Sequence, residues 1–258
     1  MIFFVLDLGL LGKIDLVQRT LSNWPLIAVD KSGLKSNCLY RLREGGQMLC
    51  RSRTTDVDTV VALVSGYEYP DFALRLEPRA TVVDGGANIG AFIARLMQLN
   101  VEHAETFSIH AFEAHPGNYR QLLENLELND WSHVVPQNAA ITGRSGSVRL
   151  QESTRADSVR AVPGEGDLEV AGVALSDYWR EGEIIDLLKL DIEGGEYAVF
   201  NNDYEILKSR VRRVVLEYHG NWNEPRVQGL LKRIRPDFEV DVIWIRPVHG
   251  VLVLRNRA

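Results

Sequence analysis

Residue chemistry concentrates at a few places in the sequence. The first is Asp84-Gly85-Gly86-Ala87-Asn88-Ile89-Gly90, which follows the apolar run Thr81-Val82-Val83 and precedes a stretch with helical spacing. Glycines at such a junction let a ligand approach the backbone and let the helix pack close to the strand. The pattern D-x-G-x-N-x-G is not the G-x-G-x-x-G of a dinucleotide site, and a carboxylate at Asp84 would repel a pyrophosphate. It suits a ligand with a positive or hydrogen-bond-donating group, such as an amino acid moiety. Glu113 stands at the end of the next strand-like run, 23 residues after Gly90. An acid there accepts hydrogen bonds from both hydroxyls of a ribose.

Together these positions describe a nucleoside that carries an amino acid group and no phosphates, and S-adenosylmethionine fits that description. The candidate cofactor positions are Asp84, Gly85, Gly86, Ala87, Asn88 and Gly90 in the turn, with Glu113 and Ala114 after the second strand. Asn138 and Ala139 join them at the third strand end, where small residues leave room for adenine, and Asp191 belongs near the sulfonium.

Methyl transfer from a sulfonium is an in-line displacement, and alignment of the reactants supplies much of the barrier reduction. An alcohol does not ionise at neutral pH, so a general base adds roughly 100- to 10,000-fold. Two further strand ends carry titratable groups. Lys189-Leu190-Asp191-Ile192-Glu193 places Lys189 and Asp191 on one strand face, with Glu193 opening the next turn. Glu217-Tyr218-His219 places Glu217 and His219 on one face. His219 is the candidate base by intrinsic pKa, oriented by Glu217 or Asp191, and Lys189 would neutralise the cluster. Asp191, Glu193, Glu217 and His219 are compatible with Mg²⁺, but a metal-free acidic mouth is favoured. His115 reads as a cofactor-loop residue, while His103, His110, His133 and His249 lack such a context. Tyr67, Tyr69 and Phe72 are candidates for a substrate pocket or for core packing.

The elements that must position these residues follow from patterning. From about residue 80, short apolar runs alternate with helical segments of ten to fifteen residues, the signature of βαβ units and a parallel sheet. The helix after Glu113 has apolar positions at Leu122, Leu123, Leu126 and Leu128, and Ser132–Ile141 reads as one third strand. Phe238–Asn256 reads as two strands and a tight turn. The expected fold is therefore α/β: a Rossmann-like, doubly wound, mostly parallel seven-stranded sheet with an antiparallel C-terminal hairpin. Residues 1–78 form an N-terminal cap on the same unit, and 79–258 form the Rossmann-like domain. Within 143–170, residues 143–153 read as a turn and a short strand, and the Gly-, Pro- and charge-rich 153–167 as a surface loop.

Composition bounds the partners. The 258 residues carry 29 Lys and Arg against 35 Asp and Glu, a formal charge of −6, with 45% hydrophobic residues. That mix excludes a disordered, collagenous or coiled-coil chain, and the acidic excess argues against a nucleic-acid partner. Cys38 and Cys50 are too widely spaced for a CxxC element and read as free thiols. The apolar N-terminus is too short to span a bilayer and lacks signal-peptide features, so no integral membrane segment and a cytoplasmic location are expected. A small-molecule acceptor is the expected partner, and homo-oligomer formation is left open.

The sequence resembles the FkbM family of class I S-adenosylmethionine-dependent methyltransferases. The matching pieces are VVDGGANIGAF, HAFEAHPGNYRQLLENLELN, NAAITGRSGSVRL, LLKLDIEGGEYAVF and VVLEYH, in family order across about 80–219. RTTDVDTVVALVSGYEYP resembles the family's lead-in. Two departures are FEAHP, where the family more often has a Pro right after the acid, and the Gly-Gly at 85–86, where a branched residue is common. The resemblance implies cofactor roles for Asp84, Gly86, Asn88, Gly90 and Glu113, and O-methylation of sugars or secondary-metabolite scaffolds. The alternatives are N- or C-methylation, or a catalytically silent nucleoside-binding module. An NAD-dependent oxidoreductase is disfavoured by the glycine spacing and the lack of a Tyr-x-x-x-Lys pair.

Overall fold

A computed structural model describes residues 8–152, 159–162, 168–179 and 182–258. The chain opens with α1 (Leu10–Thr20), α2 (Ile27–Ser32), β1 (Asn37–Arg41), β2 (Gln47–Arg51), α3 (Asp56–Val64) and α4 (Asp71–Leu74). The alternating core follows as β3 (Thr81–Gly85), α5 (Ala91–Leu99), β4 (Ser108–Phe112), α6 (Pro116–Leu128) and β5 (Val134–Gln137). Next come β6 (Ala139–Ile141), β7 (Gly146–Glu152), β8 (Val159–Val162), β9 (Leu168–Val173) and α7 (Leu175–Tyr178). The chain finishes with β10 (Leu187–Leu190), α8 (Glu196–Asn202), α9 (Tyr204–Arg210), β11 (Arg213–His219), α10 (Pro225–Ile234), β12 (Phe238–Ile245) and β13 (His249–Asn256).

The main sheet has the order β12-β13-β11-β10-β3-β4-β5. From β11 to β5 every pairing is parallel, while β13 runs antiparallel to β11 and to β12. This is the expected mostly parallel, Rossmann-like seven-stranded sheet with its antiparallel hairpin. Strands covered on both faces read as continuous apolar runs, and all of Leu187–Leu190 is buried, Lys189 included. Alternation deals the side chains to two cores. Val83, Leu188, Leu190, Val214 and Leu216 pack with α7, α8, α9 and α10. Val82, Leu187 and Val215 pack with α4, α5 and α6.

Three local expectations change. The third apolar run breaks at Asn138: β5 stays in the main sheet and β6 leaves for a second sheet of order β6-β9-β7-β8. In the 143–170 stretch β7 is the short strand expected there, but β8 and part of β9 pair with it where a surface loop was expected. Residues 153–158 and 163–167 lie outside the described residues. On α6, Leu122 and Leu126 are buried, but Leu123 and Leu128 are exposed, so the apolar stripe is half as wide as the four positions suggest. Residues 1–7 of the apolar N-terminus are also outside the described part. No helix among the described residues is long and apolar enough to cross a membrane.

The leader packs on the sheet's helices. Leu21, Tyr40, Met48 and Val60 share a core with Ile89, Ala91 and Ala94 at the start of α5. Cys38 and Cys50 face each other across β1 and β2 as buried free thiols. Polar side chains complete the seam. Fully buried Asn125 of α6 accepts from Leu49 N at 2.7 Å and donates to Ile89 O at 2.9 Å. Asn129 does the same for both backbone groups of Gln47. Asn125→Leu would strand the Leu49 amide and the Ile89 carbonyl away from water. The expected cost is roughly 2–5 kcal/mol, read as a lowered urea midpoint. A loss under about 1 kcal/mol would show that the seam rearranges to satisfy them.

Candidate functional site

The turn after β3 is shaped by what lies behind it. Gly86 has φ +79°, and a Cβ there would stand 1.9 Å from the Asp191 carbonyl oxygen, so no other residue fits without moving the β10–α8 turn. The amides of Gly86 and Ala87 both donate to Phe112 O at 2.9 Å, tying the turn to β4. Gly85 is packed against Ile141 and Leu190, and Gly90 against Leu122. Asn88 is a non-glycine residue in the left-handed region, φ +50°. Its amide donates to Glu113 Oε2 at 2.7 Å, and the His115 amide donates to Oε1 at 2.8 Å. Burial pushes the Glu113 carboxyl up, and these two amides with Lys189 and His115 pull it down. Asn138 donates to the carbonyls of Glu113 and Ala114, holding the acid's loop. His115 caps α6 by accepting from Asn118 N.

A cleft of about 820 Å³, counting its open mouth, lies over this turn. Gly86, Ala87, Asn88, Glu113 and Ala114 line one side, with Ala139, Ala140 and Ile141 on another. The Asn88 Oδ1 atom is buried with no hydrogen-bond partner. A small-residue wall, a buried carboxylate beneath it and an orphaned amide oxygen are the features a nucleoside with a donor group would complete. Thr59 and Leu63 of α3 and Leu150 of β7 also line the cleft. They come from segments where the sequence carried no readable code.

Asp84 is fully buried and meets the cleft through Lys189 rather than directly. Lys189 Nζ is 3.2 Å from Asp84 Oδ1, a charge contact without hydrogen-bond alignment, and it donates to the Gly86 carbonyl. It also lies 3.8 Å from Asp191 Oδ2. Burial pushes Asp84 up and Lys189 pulls it down; burial lowers Lys189, and Asp84 with Asp191 outweigh it, so the amine stays charged. Lys189 thus neutralises the acids, as the strand alternation implied.

Asp191 joins the cleft to an acidic mouth. Glu193 follows it in the left-handed region, φ +54°, and lines the cleft too. Tyr69 is buried, with its hydroxyl 3.5 Å from Asp191 Oδ2, whereas Phe72 is half exposed. Glu217 and His219 flank Asp191, and one ligand atom from each of the three lies within 4.8 Å of the others. His219 Nδ1 is 2.9 Å from Oε1 of fully buried Glu196, and Nε2 is 3.5 Å from Glu193 Oε2 and 4.0 Å from Glu217 Oε1. Burial works against charge on His219, but the Glu196 bond and the charges of Glu196, Asp191 and Glu217 outweigh it. They push its pKa up to about 10. An imidazolium has no lone pair for a metal, so a cation on these three residues would first have to displace that proton. Burial, with Asp191 and Glu68, pushes Glu217 well up, against His219.

Several residues of the mouth escaped sequence reasoning. Glu196 was hidden as an ordinary helix-start acid, yet it accepts from Ile192 N, Gly194 N and the His219 ring. His249, which had no context in sequence, is the register partner of His219 across the β11–β13 ladder, and its Nε2 is 3.9 Å from Glu217 Oε1. Glu68, Trp244 and Arg246 pack together nearby: Trp244 Nε1 donates to Glu68 O at 3.0 Å, and the Arg246 guanidinium lies 4.0 Å from the Trp244 ring centroid. Burial raises Glu68, against Arg246, to about 7.

Residues 84–240, more than half of the chain, match the family model described as the methyltransferase FkbM domain. The chain belongs to the FkbM methyltransferase family. Among curated proteins it is similar to the methyltransferase sdnD of Sordaria araneosa, 28% identical over 188 residues, covering 58% of this chain and 71% of that protein. Among solved structures it is similar to methyltransferase FkbM from Methylobacillus flagellatus. That match has 16% identity and a TM-score of 0.50, and covers 77% of this chain and 53% of that one, so this chain spans about half the length of that relative. The last match concerns the fold alone. For an FkbM methyltransferase, the matched segment begins at Asp84 of the glycine turn and runs through β11 into the hairpin.

Proposed function

We propose that this FkbM methyltransferase uses S-adenosylmethionine to methylate a hydroxyl of a small-molecule acceptor, on a sugar or a secondary-metabolite scaffold. The observation that carries the reading is the junction at Asp191, where the small-residue cleft over the glycine turn meets a cluster with Glu217 and His219. In the cleft, Glu113 takes the ribose hydroxyls, and Ala139 with Ala140 walls the base. The orphaned Asn88 Oδ1 accepts from a ligand donor, while Asp84 acts through Lys189. Bound there, the cofactor supplies an electrophilic methyl on a sulfonium, and the acid-lined mouth favours that positive charge. Asp191 accepts the proton of the acceptor hydroxyl. His219, already protonated at neutral pH, stays as the cation that offsets Asp191, Glu193 and Glu217.

Thermal unfolding with S-adenosylhomocysteine, and NAD as the control, tests the cofactor half. At one hundred times its dissociation constant a native-state ligand adds about 2.7 kcal/mol, expected here as a rise of several degrees with S-adenosylhomocysteine alone. A rise with NAD alone would refute the nucleoside assignment, and no rise with either would favour a silent module. N- or C-methylation would be revealed by the atom labelled in the product.

A further inference from the structure

We infer that Arg51 of the leader is a positioning residue for the cofactor. Its guanidinium ties β2 to the starts of α3 and α6, and so sets the loop that presents Glu113 to the ribose. The inference rests on the reading of Glu113 as the ribose acid and names the group that holds it in place.

The first observation is a fork. Arg51 ends β2, and Asp56 opens α3. Arg51 Nε donates to Asp56 Oδ2 at 2.9 Å, Nη2 donates to Oδ1 at 2.8 Å, and the Arg51 amide donates to Oδ2 at 2.8 Å. Parallel bonds of this kind fix the plane of the guanidinium as well as its position. The same Nη2 donates to Asn118 Oδ1 at 2.8 Å, joining residues 67 apart in sequence. Asp56 and Asn118 are both buried, so water does not readily replace either end of the link.

The second observation is what the link reaches. The Asn118 amide donates to His115 Nδ1 at 3.3 Å, and the His115 amide donates to Glu113 Oε1 at 2.8 Å. A Cβ on Gly117 would stand 2.8 Å from His115 Cε1 and 3.7 Å from Arg51 Nη1, so the guanidinium packs on this loop. The Asp56 bond, against burial, pushes the Arg51 pKa up, and the charge of Glu113 adds to the rise. Thr59 and Leu63, one and two turns into α3, line the cleft together with His115 and Asn118 at the start of α6. Two segments of the cleft wall thus share one fastener.

The chemistry explains why the fastener matters. Glu113 already accepts from the Asn88 and His115 amides, one on each oxygen. Its remaining lone pairs meet two vicinal hydroxyls only if the carboxylate plane is held. A lysine at 51 would keep the charge, but it has no planar fork to hold Asp56 and Asn118 at once.

The test uses the full chain and calorimetric titration with S-adenosylhomocysteine and its 2′-deoxy analogue. The parent is expected to bind the analogue at least about tenfold more weakly. Arg51→Lys is expected to lose at least about tenfold in affinity for S-adenosylhomocysteine. It is also expected to lose much of the discrimination between the two ligands, because groups that act through one another are not additive. Asn118→Ala cuts the link to α6 and leaves the Arg51–Asp56 fork, and it should shrink the discrimination in the same way even if Arg51→Lys does not fold. Arg95→Lys is the control, since Arg95 bridges Glu44 and Asp71 at 2.8 and 2.7 Å and lines a different cavity. It should lower the urea midpoint and leave both affinities at the parental values. Parental affinities in Arg51→Lys and Asn118→Ala would overturn the inference. So would an equal loss for the two ligands, which marks damage to the fold alone. A parent that binds S-adenosylhomocysteine and its 2′-deoxy form equally would overturn the ribose role of Glu113 and the inference with it. A parent that binds neither would instead overturn the proposed function.

Discussion

Gly86→Ala is expected to abolish cofactor binding and to destabilise the fold together. The added Cβ would lie 1.9 Å from Asp191 O, and the residue would be held at φ +79°. The left-handed conformation costs a non-glycine residue about 1–2 kcal/mol, and relieving the overlap adds roughly 1–3 kcal/mol. Relief must come from backbone on both sides, because the colliding atom is a carbonyl and not the end of a flexible side chain. The turn then shifts off Phe112 O, and the β10–α8 turn that presents Asp191 and Glu193 shifts with it. A displacement of this kind costs on the order of 100-fold in a positioned reaction. Calorimetric titration with S-adenosylhomocysteine and a urea melt measure the two effects. Gly45→Ala is the control, since Gly45 has φ +102° and nothing within 4 Å of a Cβ. It should show the conformational cost alone and leave affinity unchanged. If Gly86→Ala keeps parental affinity, the turn does not cradle the ligand.

The second large effect is the sign of the pH–rate profile. Against burial, the Glu196 bond and the neighbouring carboxylates push His219 up to about 10, which keeps its proton through the neutral range. With Asp191 as the base and His219 as the neighbouring cation, kcat/KM should be level from about pH 7.5 to 9 and fall as His219 deprotonates. Were His219 the base, as its residue type alone suggests, the active fraction would climb about tenfold per pH unit between 7 and 10. The climb would approach a thousandfold in total. Asp191→Asn is expected to lose roughly 100- to 10,000-fold in kcat. Stability must be followed in parallel. A histidine whose folded pKa is raised from 6.5 to about 10 gives its full stabilisation below 6.5. It loses that stabilisation as pH rises through 10. Initial rates well below the melting temperature at each pH separate the two, and a rising alkaline limb would return the base role to His219.

Much of the candidate cofactor cleft was legible in sequence because its determinants are local. A βαβ unit sets the turn at Asp84–Gly90 and the acid at Glu113 within thirty residues, and strand alternation alone put Lys189 beside Asp191 and Glu217 beside His219. The surroundings of Asp191 contributed by distant segments were not legible. Glu68 follows a helix of the leader, Glu217 ends a parallel strand, and Trp244, Arg246 and His249 lie around the turn of the final hairpin. Only the antiparallel register that sets His249 opposite His219 brings them together. Antiparallel register depends on long-range pairing and turn geometry, not on residue types read in order. In the same way, β6 leaves the apolar run it continues at Asn138 and joins a second sheet, a pairing set by distant β9.

The sequence by itself determined the α/β order and the strand ends that carry the candidate site, since each is a short-range pattern of period or spacing. Tertiary structure decided their electrostatic surroundings. Asp84 became a buried partner of Lys189, and Glu196 fixed the proton on His219. The physical reason is that a pKa is set by burial and by charges a few ångströms away, most of which come from distant parts of the chain.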